Sequence, residues 1–214
     1  MGIQLKLFGF EPILNVINAE PVSVLSYEYF LLITPSAGIK QQIKDLKGKL
    51  NERIGISKEN LNSVPHISLA LFREKSNRDN YIIEKAKEAA AAFNDFEILI
   101  NGARTFDHTY TRDLVLNVES IEIKKLQKTL LHTFNLKAPE KFIPHINIAK
   151  GITKNKFGQI ETAFHEFDLR DGFICSSITI LKREIVISGK QSKSSVYTKI
   201  YEAPLDNGIR QKSA

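Results

Sequence analysis

One seven-residue pattern occurs twice in this chain. Val64-Pro65-His66-Ile67-Ser68-Leu69-Ala70 returns as Ile143-Pro144-His145-Ile146-Asn147-Ile148-Ala149, with the two histidines 79 positions apart. Each copy reads as the start of a β-strand. Proline is tolerated at a strand's first residue, where no ladder donor is missed. After it, side chains alternate between the two faces of the pleat. His66 and Ser68 therefore share one face, with Ile67 and Leu69 on the other, and His145 and Asn147 repeat this against Ile146 and Ile148. A lone strand histidine is most often a surface or hydrogen-bonded core residue. Two in the same context, half a domain apart, point to a functional pair and to internal duplication.

The rest of the chain fits one domain built of two similar units. Residues 1–26 form an N-terminal extension with no clear pattern, 27–205 a single bilobal domain, and 206–214 a polar tail. Strand patterns are expected over Glu28–Ile33, Pro65–Phe72, Phe96–Ile100, Leu114–Val118, after Pro144, over Phe173–Ile180 and over Val196–Tyr201. Helical faces are expected over Gly38–Ile54 (Ile39, Ile43, Leu46, Leu50), Tyr81–Phe93, Ile121–Phe134 and Thr153–Phe164. Gly102–Thr111 reads as a loop or strand end, and Ser188–Ser195 as a turn. In both halves the motif strand follows a strand–helix unit. Two such lobes facing each other would bring His66 and His145 together across a cleft.

Composition narrows the function classes. The chain has 214 residues, a formal net charge of +6 and a sequence pI of about 9.3, which leans towards phosphate-bearing partners. A single cysteine, Cys175, cannot form an internal disulfide, so a reducing cytoplasmic setting is expected. Cys175 itself reads as a small buried apolar residue. No signal-peptide pattern and no apolar run of membrane-spanning length is visible. The five histidines show no metal-ligand spacing, and no glycine-rich phosphate loop or dinucleotide fingerprint is present, so no metal and no cofactor are expected. Nothing argues against a monomer.

The duplicated motifs resemble those of the two-histidine phosphoesterase superfamily, which includes 2′-5′ RNA ligase-like proteins and 2′,3′-cyclic nucleotide phosphodiesterases. That family carries paired His-x-Thr/Ser tetrapeptides ending in an aliphatic residue. His66-Ile67-Ser68-Leu69 fits directly. His145-Ile146-Asn147-Ile148 fits except that Asn147 replaces the hydroxyl residue, and Ala149-Lys150 is similar to the Ala-Arg that often follows. The resemblance covers about residues 28–205. It implies an α+β fold of two pseudo-symmetric lobes, each an antiparallel sheet with helices outside, around a central cleft. It also implies a metal-independent phosphodiesterase or 2′-5′ RNA ligase acting on RNA or nucleotides with 2′,3′-cyclic phosphates.

The chemistry suits these residue types. Opening a cyclic phosphate requires one oxygen to lose a proton and another to gain one, and imidazole does either near neutral pH. Ser68 and Asn147 can donate hydrogen bonds to non-bridging phosphate oxygens. The resemblance implies His145 as base and His66 as acid for hydrolysis; the reverse assignment is equally consistent, and the roles exchange for ligation. Lys150 is a further phosphate-binding candidate. Arg183, Lys182, Tyr110 and Arg104 are weaker ones. His108, His132 and His165 lack the repeated context. Asn147 also leaves open an alternative, a non-catalytic RNA- or nucleotide-binding protein.

Overall fold

The two motif strands meet at the centre of the molecule. A computed structural model describes residues 23–188 and 191–206 of the chain. Its strands are β1 (Ser23–Ile33), β2 (Ile67–Glu74), β3 (Phe96–Asp107), β4 (Thr111–Glu119), β5 (His145–Thr153), β6 (Arg170–Cys175), β7 (Ser177–Ser188), β8 (Gln191–Ser194) and β9 (Thr198–Pro204). They form one sheet in the order β6-β3-β4-β5-β2-β1-β7-β8, with β9 also on β7, and every strand pairing is antiparallel. The helices are α1 (Ala37–Ile54), α2 (Lys58–Asn62), α3 (Asp79–Ala90), α4 (Ile121–Thr133) and α5 (Lys154–Gly158), followed by a 3-10 helix over Glu161–Phe167. The chain is thus an antiparallel α+β protein.

The sheet has two wings, β1-β2-β7-β8-β9 and β3-β4-β5-β6, joined by the single register pair Ile67–Ile146. The unit β1-α1-β2 repeats as β4-α4-β5. Ser36 and Ser120 cap α1 and α4 alike, accepting from the backbone N–H three residues on, at 3.3 and 3.4 Å. Ile39, Ile43, Leu46, Leu50 and Ile54 of α1, and Ile123, Leu126, Leu130 and Leu131 of α4, pack with Ile67, Leu69, Ile146 and Ile148 in one continuous core. The face carrying His66 and His145 is the other one.

The wings are not consecutive halves of the chain. After α3 the chain crosses to the second wing for β3 to β6, then returns at Ser176. The run read as one strand from Phe173 is therefore two: β6 pairs with β3, and β7 pairs with β1 from Ser23 to Leu32. Periodicity does not reveal the break because the chain is extended on both sides of it. β1 begins at Ser23, ahead of the expected start at Glu28. Residues 1–22 of the expected N-terminal extension lie outside the described residues. The expected Thr153–Phe164 helix divides into α5 and the 3-10 helix, with Phe157, Ile160, Ala163 and Phe167 buried along the two. The turn expected at Ser188–Ser195 contains β8.

Three bulges set which side chains reach the site face. Leu69 and Ala70 both face the core, as do Ile148 and Ala149, and the register shifts beside each pair. This accounts for the alanine in each motif: the second inward side chain at a bulge must be small. It also returns Leu71 and Lys150 to the outer face, since a one-residue shift exchanges the faces. The third bulge lies at Gly102 (φ 78°), between Ile100 and Ala103. Its N–H donates to Leu169 O at 2.9 Å, and Asp168 accepts from Ala103 N at 2.7 Å. Of the two readings of this region, loop or strand end, the strand holds as far as Asp107, and Arg104 and Phe106 lie on the site face, opposite to Ile98 and Ile100.

A Cβ at Gly102 would sit 3.0 Å from Asp168 Oδ1 in a backbone conformation that β-branched residues avoid. Gly102→Val is expected to destabilise the fold by about 1–3 kcal/mol, read as a lower urea midpoint with an unchanged m-value.

Candidate active site

The Ile67–Ile146 pair fixes the geometry. With both isoleucines in the core, His66, Ser68, His145 and Asn147 share the opposite face. His66 and His145 are diagonal neighbours across the junction; in an antiparallel pair such positions stand roughly 7–8 Å apart, room for one phosphate between two imidazoles.

Each histidine is held the same way. Nδ1 of His66 donates to Val64 O, and Nδ1 of His145 to Ile143 O, both at 2.8 Å. These bonds orient the rings and leave each Nε2 to exchange a proton. Each ring also meets the edge or face of a phenylalanine at nearly a right angle: Phe30 with His66, centroids 5.1 Å apart, and Phe106 with His145, 4.9 Å apart.

Burial pushes the pKa of both histidines below the ordinary imidazole value; the carbonyl hydrogen bonds oppose this without overcoming it. Lys150 lowers both further. Lys47 and His145 add to the effect on His66, and Arg104 to that on His145, where Asp113 pulls the other way.

A cavity of about 1120 Å³ opens beside the pair, lined by His66, Ser68, His145, Lys150, Phe30 and Phe106 at one end. Asn147 is half-buried, and its Oδ1 is enclosed with no hydrogen-bond partner among the described residues. Lys150 is held by its backbone: the Asn60 side chain accepts from Lys150 N at 2.9 Å and donates to Lys150 O at 2.8 Å. This bridges α2 to the second wing and leaves the Lys150 side chain exposed at the cavity.

The weaker candidates divide. Arg104 lies on the site face, stacked over Phe106 and 3.4 Å from Asn117 Oδ1. Arg183 shares that face but is committed to Glu28. Glu28 is 3% exposed and receives Arg73 Nε at 2.9 Å, Arg183 Nε at 2.6 Å and Tyr197 OH at 2.6 Å. Burial raises the Glu28 pKa, and these bonds more than offset it, keeping the carboxylate ionised. Lys182 faces the helices, 2.7 Å from Asp79. Tyr110 is 82% exposed at the β3–β4 turn and does not line the cavity. His108 pairs with Asp113 at 3.1 Å, while His132 and His165 are exposed on helices. Cys175 lies in the core, its thiol pushed up to about 12 by burial. Among the described residues no three His, Cys, Asp or Glu side chains group as metal ligands, and no helix is long and apolar enough to cross a membrane.

Sequence reasoning missed Lys47, which is 1% exposed on α1. Its ammonium donates to Asn60 O at 3.0 Å, Ser63 O at 2.6 Å and Ser63 Oγ at 2.5 Å. It thereby ties down the loop that delivers both Asn60 and His66. Its one signal was its place beside Leu46 on the apolar face of the helix.

The chain belongs to the 2′-5′ RNA ligase superfamily: that family's profile matches residues 35–185, which include both motifs. The fold is that of two-histidine phosphoesterases. It is similar to TT0787 of Thermus thermophilus (12% identity, TM-score 0.57, covering 83% of this chain and 97% of that one). It is likewise similar to E. coli LigT complexed with 3′-AMP (16%, 0.57, 84% and 98%) and to LigT complexed with phosphate (16%, 0.52, 87% and 99%). None of the curated proteins matches the sequence.

Burial pushes the Lys47 ammonium down to about 8. With a folded pKa below the unfolded one, this group's contribution to stability rises as pH climbs from about 8 towards 10.5. Lys47→Met is expected to flatten that rise and to leave the Ser63 carbonyl without its donor, costing about 1–3 kcal/mol at neutral pH. Urea titrations across the pH range would measure both effects.

Proposed function

We propose that the protein is a metal-independent phosphodiesterase that opens 2′,3′-cyclic phosphates of RNA ends or nucleotides by two-histidine acid–base catalysis. The observation that carries this reading is the matched pair of imidazoles, each locked through Nδ1 to a backbone carbonyl, on one sheet face beside one cavity. A cyclic phosphate between them meets the two proton carriers the reaction requires. His145 takes a proton from water as the water oxygen bonds to phosphorus. The bond from phosphorus to one ribose oxygen breaks, and His66 delivers a proton to that oxygen. Exchanging the two roles gives the same balance. Ser68, Asn147 and Lys150 hold the non-bridging oxygens, where preorganised donors stabilise the charge that builds up in the transition state.

The electrostatics suit an anionic substrate. Both rings titrate below their usual range because they are buried, with carbonyls instead of carboxylates on Nδ1 and Lys150 near both. A bound phosphate supplies negative charge between them, raises both values and favours the protonated acid. LigT has been crystallised with 3′-AMP, ATP, NADP+ and phosphate, which accords with a nucleotide phosphate site in this fold.

The test is hydrolysis of the four 2′,3′-cyclic nucleoside monophosphates by EDTA-treated protein. His66→Ala and His145→Ala are each expected to lower kcat by about 10²–10⁴-fold while the fold remains intact by circular dichroism. Unchanged turnover in both variants would refute the mechanism. Binding without turnover at any pH would instead favour the non-catalytic nucleotide-binding reading, for which Asn147 in place of a hydroxyl residue is the motivating observation; Asn147→Thr would then be expected to restore activity.

The pH profile follows from the lowered values. The base must be neutral and the acid charged, and both values in the free enzyme lie below 6.5. The bell-shaped kcat/KM profile is therefore expected to peak on the acid side of pH 6.5 and to fall as pH rises through neutrality. Stability runs the other way: the unfolded state takes up protons first, so these groups destabilise the fold as pH falls below about 6.5.

A further inference from the structure

The cavity is not symmetric about the two histidines. On the path from α1 to β2, the space beside the motif is filled by α2, with Asn60 on the Lys150 backbone and the buried Lys47 holding the loop carbonyls. On the equivalent path from α4 to β5, residues 134–144 contain neither helix nor strand. Beyond Ile67, β2 has no strand partner on its β5 side among the described residues, so the cavity runs on past this free edge to the wall of α4.

Gln127 stands in that wall. It is 6% exposed, lines the cavity, and lies on the α4 face that otherwise presents Ile123, Leu126, Leu130 and Leu131 to the interior. Its side-chain amide makes no hydrogen bond to any described residue. Such an amide offers two donor hydrogens and an acceptor oxygen, and with no protein partner it presents them to the cavity. Its neighbours along this arm are apolar: Leu69, Leu71, Leu131 and Phe142.

Resting on the nucleotide-phosphate reading above, we propose that this arm is a base-recognition subsite, with Gln127 as its specificity-determining residue. A nucleobase has flat apolar faces and an edge that carries both donors and acceptors. The apolar walls take the faces, and the Gln127 amide takes the edge, while the phosphate on the attached ribose lies between His66 and His145. A phosphoester without a base leaves the amide to water and gains nothing from it. The arm therefore discriminates nucleotides from other phosphoesters, a choice the histidines alone cannot make.

Two probes test this, 3′-AMP and inorganic phosphate, titrated into wild type and Gln127→Leu by calorimetry. Wild type is expected to bind 3′-AMP at least tenfold more tightly than phosphate. Gln127→Leu should lose about tenfold for 3′-AMP with phosphate affinity unchanged. Gln127→Glu, which keeps the size and reach but removes the donors, checks that the loss follows hydrogen-bonding capacity. Equal 3′-AMP affinity in wild type and Gln127→Leu, parallel loss of both ligands, or no binding to wild type would overturn the subsite. The outcome is separable from the catalytic reading: phosphate bound without a base preference removes the subsite and leaves the phosphodiesterase intact. A base preference lost in Gln127→Leu, in a protein that hydrolyses none of the cyclic nucleotides, keeps the subsite and removes the phosphodiesterase.

Discussion

The face that carries both motif histidines depends on one contact between strands, the pairing of Ile67 with Ile146. Both side chains are wholly buried, so neither strand can rotate about its axis without moving an isoleucine out of the core. That fixes the outward direction of the residue on either side of each. His66, Ser68, His145 and Asn147 are therefore aimed by hydrophobic packing on the reverse of the sheet. The strands pair only there, so the same contact that brings the histidines together lets the chain diverge beyond them and leaves an opening. One junction produces both the histidine pair and the space beside it.

Much of this was legible from residue types. The duplicated motif, its alternation, and the apolar faces of α1 and α4 are local signals, and they led to the two histidines and to an α+β sheet with helices on its back. What stayed hidden shares a physical cause. Strict alternation from His145 puts Lys150 towards the helices; the bulge at Ile148–Ala149 puts it at the cavity. The same applies to Phe106, which the bulge at Gly102 moves to the site face. A bulge is a property of pairing between distant strands, so a single strand's sequence marks it only faintly, here by an alanine or a glycine. Lys47 and Gln127 were hidden for a different reason. A polar residue next to the apolar stripe of a helix ordinarily reaches solvent, and only the path of the following loop decides whether it does.

The site's electrostatics are one-sided. The histidines turn Nδ1 to backbone carbonyls instead of carboxylates, Lys150 and Arg104 stand near them, and Asp113 is the acidic group that acts on His145. Elsewhere the fold neutralises buried charge with care, as Glu28 does with Arg73, Arg183 and Tyr197, or Asp79 with Lys182 and Tyr29. Around the imidazoles that balance is withheld. The overall charge of +6 reinforces this local field but does not create it.

The crossing of the chain between wings gives the molecule an assembly order. The wing of β3 to β6 is contiguous from Phe96 to Cys175, so its strands need only nearby partners. The other wing has β1 paired with β7 from the far end of the chain, with Ser23 opposite Ser188. Closing so long a loop is slow compared with local pairing. During synthesis the wing bearing His145 has all its strands before the wing bearing His66, whose β1 must wait for β7. β7, which carries no motif histidine, thus latches the wing that presents the first one by pairing along β1.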